Sequence, residues 1–290
     1  MQSSILSRYL FNKDSRFFAL FLTAYLRKTP SFMVIGAQRC GTTSLYSYLV
    51  QHPLILPSFK KEVHFFDHNY HRGTLWYKAF FPSIFRLIIK QKENGLASHR
   101  SMLTGEATPY YFFHPLAPKR IARILPNVKL IVLLRNPIDR AFSHYNHEVR
   151  MGTETLSFEE AIKHEKSRLQ GEREKILTKA NYRSYAYQHF SYLNRGIYIS
   201  QVLYWLNFFP IDQLHVVCSE DFFEYPESVL KDITKFLGVP PLKLKRYRQY
   251  NQAKYKKMDS LLRKKLATYF KSYNEHLYTF LGRSYRWEDS

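Results

Sequence analysis

The segment at residues 31–53, SFMVIGAQRCGTTSLYSYLVQHP, constrains the fold more than any other part of the chain. It begins with a short apolar run at 32–36, continues through a glycine-containing loop, and enters a helical pattern at 42–51. A strand that turns directly into a helix is typical of parallel α/β folds. Backbone N–H groups at the helix start, with the positive end of the helix dipole, would bind an anion. The segment therefore predicts a phosphate- or sulfate-binding loop, with an ordinary strand-to-helix turn as the alternative.

Further apolar runs predict the remaining strands of the sheet. They lie at 102–106, where the pattern is weak, at 129–135 and at 214–220. Helical patterns alternate with the strands, at 42–51, 138–150, 157–177, 197–208 and 226–237. Continuous apolar strands alternating with helices indicate a parallel sheet with both faces covered. The predicted fold class is α/β, with a central, mostly parallel sheet flanked by helices and ligands at the carboxyl ends of the strands.

The composition predicts a globular and strongly basic protein. The chain has 44 Lys and Arg against 23 Asp and Glu, a formal net charge of +21. This charge attracts nucleotides, acidic glycans, anionic lipid and other polyanions alike. The basic residues are dispersed and no nucleic-acid-binding module is recognisable, so we expect no specific nucleic-acid partner. Cys40 and Cys218 are too few for a disulfide framework, which favours a reducing compartment and a cytoplasmic location.

No repeat or Gly/Ser-rich linker divides the chain, so residues 31–290 are predicted to form a single domain, preceded by an N-terminal helical extension at 1–30. The extension contains the apolar stretch RFFALFLTAYLR. Only ten residues lie between Arg16 and Arg27, against the roughly 20 that a membrane-spanning helix needs. We expect a helix packed against the domain, with membrane-surface contact through this helix as the alternative. The sequence leaves the oligomeric state open.

A second loop, in LIVLLRNPIDRAFSHYNHEVR, has the same strand-loop-helix organisation. The strand ends at Arg135, Asn136 and Pro137 turn the chain, and Ser143 follows eight residues after Arg135. Arg135 and Ser143 could reach one phosphate from the strand end and the helix face. The alternative is that Asn136 caps a solvated helix. Two anion sites on neighbouring strand ends suit a nucleotide with phosphates at both ends.

The motifs and their order resemble the PAPS-dependent sulfotransferases, and within them the carbohydrate sulfotransferases of the heparan sulfate type. PAPS is 3′-phosphoadenylyl sulfate, and its product is PAP. The resemblance covers residues 32–287 and includes a P-loop-like sulfotransferase fold. The segments that carry it are GAQRCGTTSL, KEVHFFD, NYHRGTLWYKAFFP, GEATPYYFFHP, LLRNPIDRAFSHY and GRSYRW.

The resemblance implies in-line sulfuryl transfer from PAPS to an acceptor hydroxyl or amine, without a metal. Glu62 matches the catalytic base, and Arg39 matches a position beside the leaving group where the family usually has lysine. His64 could orient Glu62 or carry charge, whereas the adjacent lysines would lower the pKa that a general base needs. The implied contacts with the nucleotide are Arg39, Cys40, Gly41, Thr42, Thr43, Ser44, Arg135, Ser143 and, in a basic loop, Lys254 and Tyr255.

The resemblance also implies an acceptor cleft, for a carbohydrate or another hydroxyl-bearing acceptor. Aromatic faces with polar tips suit sugar rings, although they suit a protein core equally well. Ala107 stands where heparan-type enzymes commonly carry lysine, which weakens the case for a heparan-like acceptor. Two other functions stay open: an inactive PAPS-binding member of the family, and a nucleotide-dependent phosphoryl transferase, although the Gly-Lys-Ser/Thr ending of the latter is absent. The implied acceptor contacts are Lys61, Trp76, Tyr110, Tyr111 and His114, with His68 and Arg72 nearby.

Overall fold

A computed structural model describes residues 20–93, 102–250, 256–285 and 287. The described residues form a parallel sheet with the strand order β2-β3-β1-β4-β5. Its strands are β1 (Phe32–Gly36), β2 (Ile55–Pro57), β3 (Leu103–Ala107), β4 (Lys129–Leu134) and β5 (Leu214–Cys218). The predicted α/β class, with a parallel sheet flanked by helices, is confirmed.

Helices fill the connections between the strands and continue beyond the last one. The first half of the chain contains α1 (Thr42–Leu49), α2 (Gly73–Lys78), α3 (Ile84–Glu93), α4 (Ala117–Ile124), α5 (Pro137–Arg150) and α6 (Phe158–Leu169). The second half contains α7 (Glu172–Thr178), α8 (Tyr185–His189), α9 (Tyr198–Leu206), α10 (Ser219–Glu224), α11 (Pro226–Leu237) and α12 (Ser260–Leu281). Each parallel strand pair requires such a crossover, because a tight hairpin cannot return the chain in the same direction.

The register of the central strands determines where the two predicted loops lie. Val34 of β1 pairs with Ala107 of β3 on one side and with Ile131 of β4 on the other. All five residues of β1 are buried, as expected for a strand covered on both faces. Because β1 and β4 are parallel neighbours, the loops that follow them leave the same edge of the sheet.

Several boundaries differ from the sequence predictions. The helix predicted at 157–177 is two helices, α6 and α7, because Gly171 adopts φ 71° and breaks the helical path. Strand β2 was not predicted, since a three-residue apolar run carries little periodic signal. Helix α12, the longest in the described chain, was also missed. Helix α11 agrees with its prediction and ends at Gly238 with φ 80°.

The predicted N-terminal helix lies partly outside the described residues. Ala24–Leu26 forms a 3-10 turn, and the residues after it are tied to the domain. Arg27 Nη1 donates to Phe81 O at 2.7 Å, and Lys28 Nζ donates to Met102 O at 2.8 Å. Within the described part of the chain, no helix has both the length and the apolar character needed to cross a bilayer.

Candidate active site

The loop after β1 ends at the N-terminus of helix α1. The first hydrogen bond of α1 runs from Leu45 N to Gly41 O at 3.1 Å. The N–H groups of Thr42, Thr43 and Ser44 precede that bond, so the helix itself offers them no acceptor. They lie at the positive end of the α1 dipole, where an anion is stabilised.

Gly41 is required by the shape of this loop. Its φ is +93°, and a Cβ added there would lie 2.7 Å from Phe223 Cζ. A side chain at this position would meet both backbone strain and a steric clash. Gly41 is therefore needed for the conformation of the loop, and its contact with the nucleotide stays a prediction.

Two other residues of the predicted nucleotide loop point into the protein. Cys40 is buried, and burial raises the pKa of its thiol to about 11. The backbone N–H of Cys40 donates to Ala37 O at 3.2 Å, and the thiol lies 3.7 Å from Gln38 O. Both donors of Cys40 therefore have partners within the protein. Ser44 Oγ accepts from Tyr250 N at 3.0 Å. The predicted cofactor contact through Cys40 is thus replaced by a packing role, and Ser44 contributes to the helix start through its backbone.

The second predicted anion loop joins the first. Arg39 Nε donates to Ser143 Oγ at 3.1 Å, and Arg135 Nη1 approaches Arg39 O at 3.4 Å. Arg39 adopts a left-handed φ of 71°, which is uncommon for a residue with a side chain. The structure therefore brings Arg39, Arg135 and the buried Ser143 into contact with one another.

Asn136 has the capping role that was the alternative interpretation of the second loop. Its side-chain oxygen accepts from Ile138 N at 3.0 Å, which caps α5. Its amide nitrogen donates to Trp287 O at 3.0 Å, and its backbone N–H donates to Glu220 Oε1 at 2.9 Å. Capping does not exclude the predicted anion contacts, because Asn136 supports the loop while Arg135 is half-buried at the strand end and Ser143 is buried in α5.

Glu62, the predicted base, lies beside the loop that follows β1 and the start of α1. Lys61 Nζ is 2.7 Å from Glu62 Oε1 and donates to Thr43 Oγ1 at 2.7 Å. His64 Nε2 lies 3.4 Å from Glu62 Oε2. Burial alone would raise the pKa of Glu62, but the hydrogen bond from His64 and the charge of Lys61 outweigh it and lower the pKa to about 2. The carboxylate is therefore ionised at neutral pH.

Asp67 extends this cluster behind His64. Its side chain is fully buried, and Oδ2 lies 2.7 Å from His64 Nδ1. Burial would lower the pKa of His64, but the hydrogen bonds to Asp67 and Glu62 raise it to about 9. An imidazolium between two carboxylates results. His64, Asp67 and His68 also hold three potential metal-ligand atoms within 4.8 Å of one another.

Glu106, which the sequence analysis did not select, supports the segment that carries Glu62. It is fully buried at the end of β3, and it accepts from Tyr77 Oη at 2.6 Å, Thr108 Oγ1 at 2.6 Å and Val63 N at 3.2 Å. Burial raises the pKa of Glu106 to about 7, although these hydrogen bonds oppose the shift. The contact with Val63 N fixes the backbone next to Glu62. Asp67 lies in the motif KEVHFFD, and Glu106 lies in the motif GEATPYY. Membership of these motifs is the only sequence signal for either residue.

The predicted acceptor residues divide into surface and core. Tyr111 is fully buried, and its hydroxyl accepts from Phe65 N at 2.8 Å. Tyr110 and His114 are also buried. The structure thus places these three residues beneath the site, whereas the sequence prediction placed them against an acceptor. Burial accounts for the difference, because aromatic residues suit a core as well as a sugar.

The remaining acceptor candidates are more accessible. Trp76 is partly exposed, and the Arg72 guanidinium lies 5.3 Å from its ring centroid. The His68 ring stacks on His64 with centroids 5.3 Å apart. Lys61 lies between Glu62 and Thr43. Lys254 and Tyr255, the weakly predicted nucleotide contacts, lie outside the described residues.

The fold and this site define a class: parallel α/β proteins with a glycine-containing β1–α1 loop at a helix N-terminus and a second, arginine-containing loop beside it. Residues 29–283 match the family described as the sulfotransferase domain. The chain belongs to this family and is a sulfotransferase, which confirms the predicted family and enzyme class.

Relatives support the same assignment over different shares of their length. The chain is 28% identical to the membrane-associated sulfotransferase kil1 of Dictyostelium discoideum, over 90% of this chain and 67% of kil1. It is 33% identical to the human bifunctional heparan sulfate N-deacetylase/N-sulfotransferase 3, over 74% of this chain. The match spans only 23% of that human protein. The similarity therefore concerns one part of a larger bifunctional enzyme.

A solved structure extends the similarity to the fold. The sulfotransferase from Alicyclobacillus acidocaldarius is 29% identical to this chain, with a TM-score of 0.65. The comparison covers 91% of this chain and 100% of that protein. The predicted sulfotransferase fold is confirmed.

Proposed function

We propose that this sulfotransferase moves a sulfuryl group from PAPS to a hydroxyl or amine of a carbohydrate, with Glu62 as general base. One observation carries the proposal: Lys61 Nζ lies 2.7 Å from both Glu62 Oε1 and Thr43 Oγ1. This lysine connects the candidate base to the helix start that would hold the phosphosulfate. An acceptor atom placed between them would meet the base and the transferable group together.

The residues present fit the nucleotide. The α1 start, with Thr42 and Thr43, suits the 5′-phosphosulfate, because a helix N-terminus and two hydroxyl groups offer donors to anionic oxygens. Arg135 and Ser143 suit the 3′-phosphate, since a forked guanidinium and a hydroxyl are both good donors to phosphate oxygens. Bound PAPS would supply an activated sulfuryl group. Arg39, which contacts Ser143, would place positive charge close to both phosphates.

Glu62 would remove the proton from the acceptor hydroxyl or amine. Its pKa of about 2 keeps it ionised, but it also makes the carboxylate a weak base. Lys61 is the adjustable part of this arrangement, because it is shared between Glu62 and Thr43. An anion at the α1 start competes with Glu62 for Lys61, and a weaker contact with Lys61 raises the pKa of Glu62. His64, held by Asp67, would keep the second oxygen of Glu62 oriented.

Two further parts of the proposal rest on chemistry and on the relatives. A carbohydrate acceptor is favoured because a relative named for heparan sulfate N-sulfotransferase activity matches this chain, and Trp76 with Arg72 offers a partly exposed aromatic and cationic surface. Cys40 and Cys218 are buried free thiols, which suits a reducing, cytoplasmic location.

Calorimetric titration with PAP, AMP and Mg-ATP at one ionic strength tests the nucleotide assignment first. We expect PAP to bind at least tenfold more tightly than AMP, because a phosphate hydrogen-bonded to charged groups is worth about 1.5–3 kcal/mol. Preference for Mg-ATP would favour a phosphoryl transferase and contradict the proposal.

Transfer of labelled sulfate from PAPS to a panel of desulfated glycans tests the second step. Tight binding of PAP without transfer to any acceptor would favour an inactive PAPS-binding protein.

A further inference from the structure

Helix α3 exposes apolar residues that the fold does not cover. Leu87 packs inward, whereas Phe85 is 60% and Ile89 57% exposed. Ile84 and Ile88, at 47% and 46%, continue the same exposed surface. Soluble proteins rarely leave large apolar side chains clustered in this way. The exposed face of α3 therefore indicates an interaction surface.

A second exposed apolar segment lies beside α3. Leu22 and Tyr25 are 65% and 76% exposed, and Leu26 and Phe21 are exposed with them. Arg27 forms an isolated β-bridge with Ser83, immediately before α3. Tyr25, Ile84 and Ile88 line one cleft together. The segment 21–26 and α3 thus form one continuous surface, called here the apolar face.

Basic side chains surround the apolar face. Arg86, Lys90 and Lys92 belong to α3 itself, and Lys28 and Lys78 line the cleft beside it. Arg27 and Arg86 lie 5.5 and 5.9 Å from the ring centroid of Phe59. The single acidic residue of α3, Glu93, is paired with Lys90 at 3.1 Å.

We propose that the apolar face docks on an anionic membrane surface. Helices that lie in the plane of a lipid interface combine Phe, Leu or Ile on one side with Lys and Arg around it. The apolar side chains enter the headgroup boundary, and the basic residues meet anionic lipid. This complementarity of charge favours anionic lipid over a neutral protein partner. Peripheral docking also agrees with the lack of a membrane-spanning helix in the described chain.

The position of Phe59 connects this surface to the active site. Phe59 is 47% exposed, lies against Arg86 of the apolar face and Arg27 beside it, and precedes Glu62 by three residues. Its backbone N–H donates to Phe80 O at 2.8 Å, which anchors the segment that continues to Glu62. A docked protein would therefore hold the segment of the proposed base next to the lipid surface.

The test is sedimentation of the full chain with vesicles of phosphatidylcholine, alone and mixed with phosphatidylserine. The variant Phe85→Ser/Ile89→Ser removes exposed apolar side chains and keeps every charge. We expect the wild type to bind the mixed vesicles, and the variant to bind roughly tenfold or more weakly. The matched control is Leu203→Ser/Ile211→Ser, whose residues are 45% and 55% exposed elsewhere on the surface. We expect it to bind as the wild type does.

Other outcomes would overturn the proposal. Equal binding of wild type and Phe85→Ser/Ile89→Ser, abolished by salt, would assign adhesion to the net charge of +21 alone. Failure of the wild type to bind either vesicle would also contradict the proposal. Light scattering would then separate the two other occupants of the apolar face: a dimer would indicate a second copy, and a monomer would indicate residues 1–19. A PAP titration of each variant checks that the fold is retained. PAP binding does not depend on the apolar face. If the wild type bound the mixed vesicles but not PAP, the proposed function would be contradicted and the membrane proposal would stand.

Discussion

Arg39 Nε donates a hydrogen bond to Ser143 Oγ at 3.1 Å, and this bond joins the β1–α1 loop to helix α5 across 104 residues of the chain. It is possible because β1 and β4 are parallel neighbours, so the loops after them leave the same edge of the sheet. Arg135 Nη1 approaches the backbone of Arg39 at 3.4 Å. The two segments that the sequence predicted as anion sites therefore meet through Arg39, Arg135 and Ser143.

Replacing Arg135 should distinguish the two ends of the nucleotide. Arg135→Ala should weaken PAP binding by roughly 10- to 100-fold, because a hydrogen bond to a charged group is worth about 1.5–3 kcal/mol. Binding of AMP should change little, since AMP lacks the 3′-phosphate. Calorimetry with both nucleotides measures the difference, and Arg150→Ala, on the exposed end of α5, is the control. Equal losses for PAP and AMP would remove Arg135 from the proposed 3′-phosphate site.

Substitutions of Arg39 should separate the contribution of its positive charge from that of its forked donor group. Arg39→Lys should keep most of the transfer rate, within about tenfold, because lysine retains the positive charge beside the leaving group while losing the forked donors. Arg39→Ala should reduce kcat by roughly 100-fold or more, the usual effect of removing one donor that stabilises charge in a transition state. Steady-state kinetics at saturating acceptor compares the variants. Similar rates for Arg39→Ala and wild type would exclude Arg39 from charge stabilisation.

The strands and loops that hold the site were predictable because their signals are local. Both β1 and β4 are continuous apolar runs, and Asn136 and Pro137 mark the start of α5 by known capping chemistry. The two-helix break at Gly171 was not predicted, because the helical pattern continues across it and only the positive φ of the glycine interrupts it.

The buried polar residues were not predictable for a different reason. Glu106 resembles any polar residue at a strand end, and its partners Tyr77 and Val63 come from other segments. Tyr111 resembles a surface aromatic in sequence, yet its hydroxyl is committed to Phe65 N within the core. Roles of this kind depend on tertiary contacts rather than on local pattern.

Asp67 should control the titration of His64. The pKa of His64 is raised from 6.5 to about 9, with burial opposing the shift and the hydrogen bond to Asp67 the largest contribution that raises it. The charged form therefore stabilises the folded protein fully below pH 6.5, and this contribution is lost as the pH rises through 9. Asp67→Asn should move the pKa of His64 down toward 6.5, and NMR of the imidazole ring measures it.

The matching control is Asp139→Asn, which removes a carboxylate paired with Arg263 at 2.8 Å on α5. It should leave the titration of His64 unchanged. Urea denaturation between pH 6.5 and 9 should show a smaller loss of unfolding free energy for Asp67→Asn than for Asp139→Asn. An unchanged His64 pKa in Asp67→Asn would contradict the assigned hydrogen bond.

Glu106 should make the fold less stable at neutral pH than at acidic pH. Burial raises its pKa from 4.5 to about 7, so the unfolding free energy falls as the pH rises from 4.5 through 7. The full change is roughly 3 kcal/mol. Glu106→Gln should remove this part of the pH dependence. Burial also raises the pKa of Glu165 to about 7, so a dependence from that residue should persist. Urea denaturation across this range tests it, with the exposed Glu93→Gln as control.

Glu62 should be needed for transfer and not for nucleotide binding. Glu62→Gln preserves the shape of the side chain but cannot accept a proton, so kcat should fall roughly 100- to 10,000-fold, the usual contribution of general base catalysis. The dissociation constant for PAP should stay within about threefold of wild type, because the base acts on the acceptor. The control is Glu159→Gln, whose carboxylate is exposed on α6 and pairs with Lys163 at 3.3 Å. If Glu62→Gln instead abolished PAP binding, Glu62 would be a structural partner of Lys61 and the phosphate-type loop, and the catalytic base would have to be sought elsewhere.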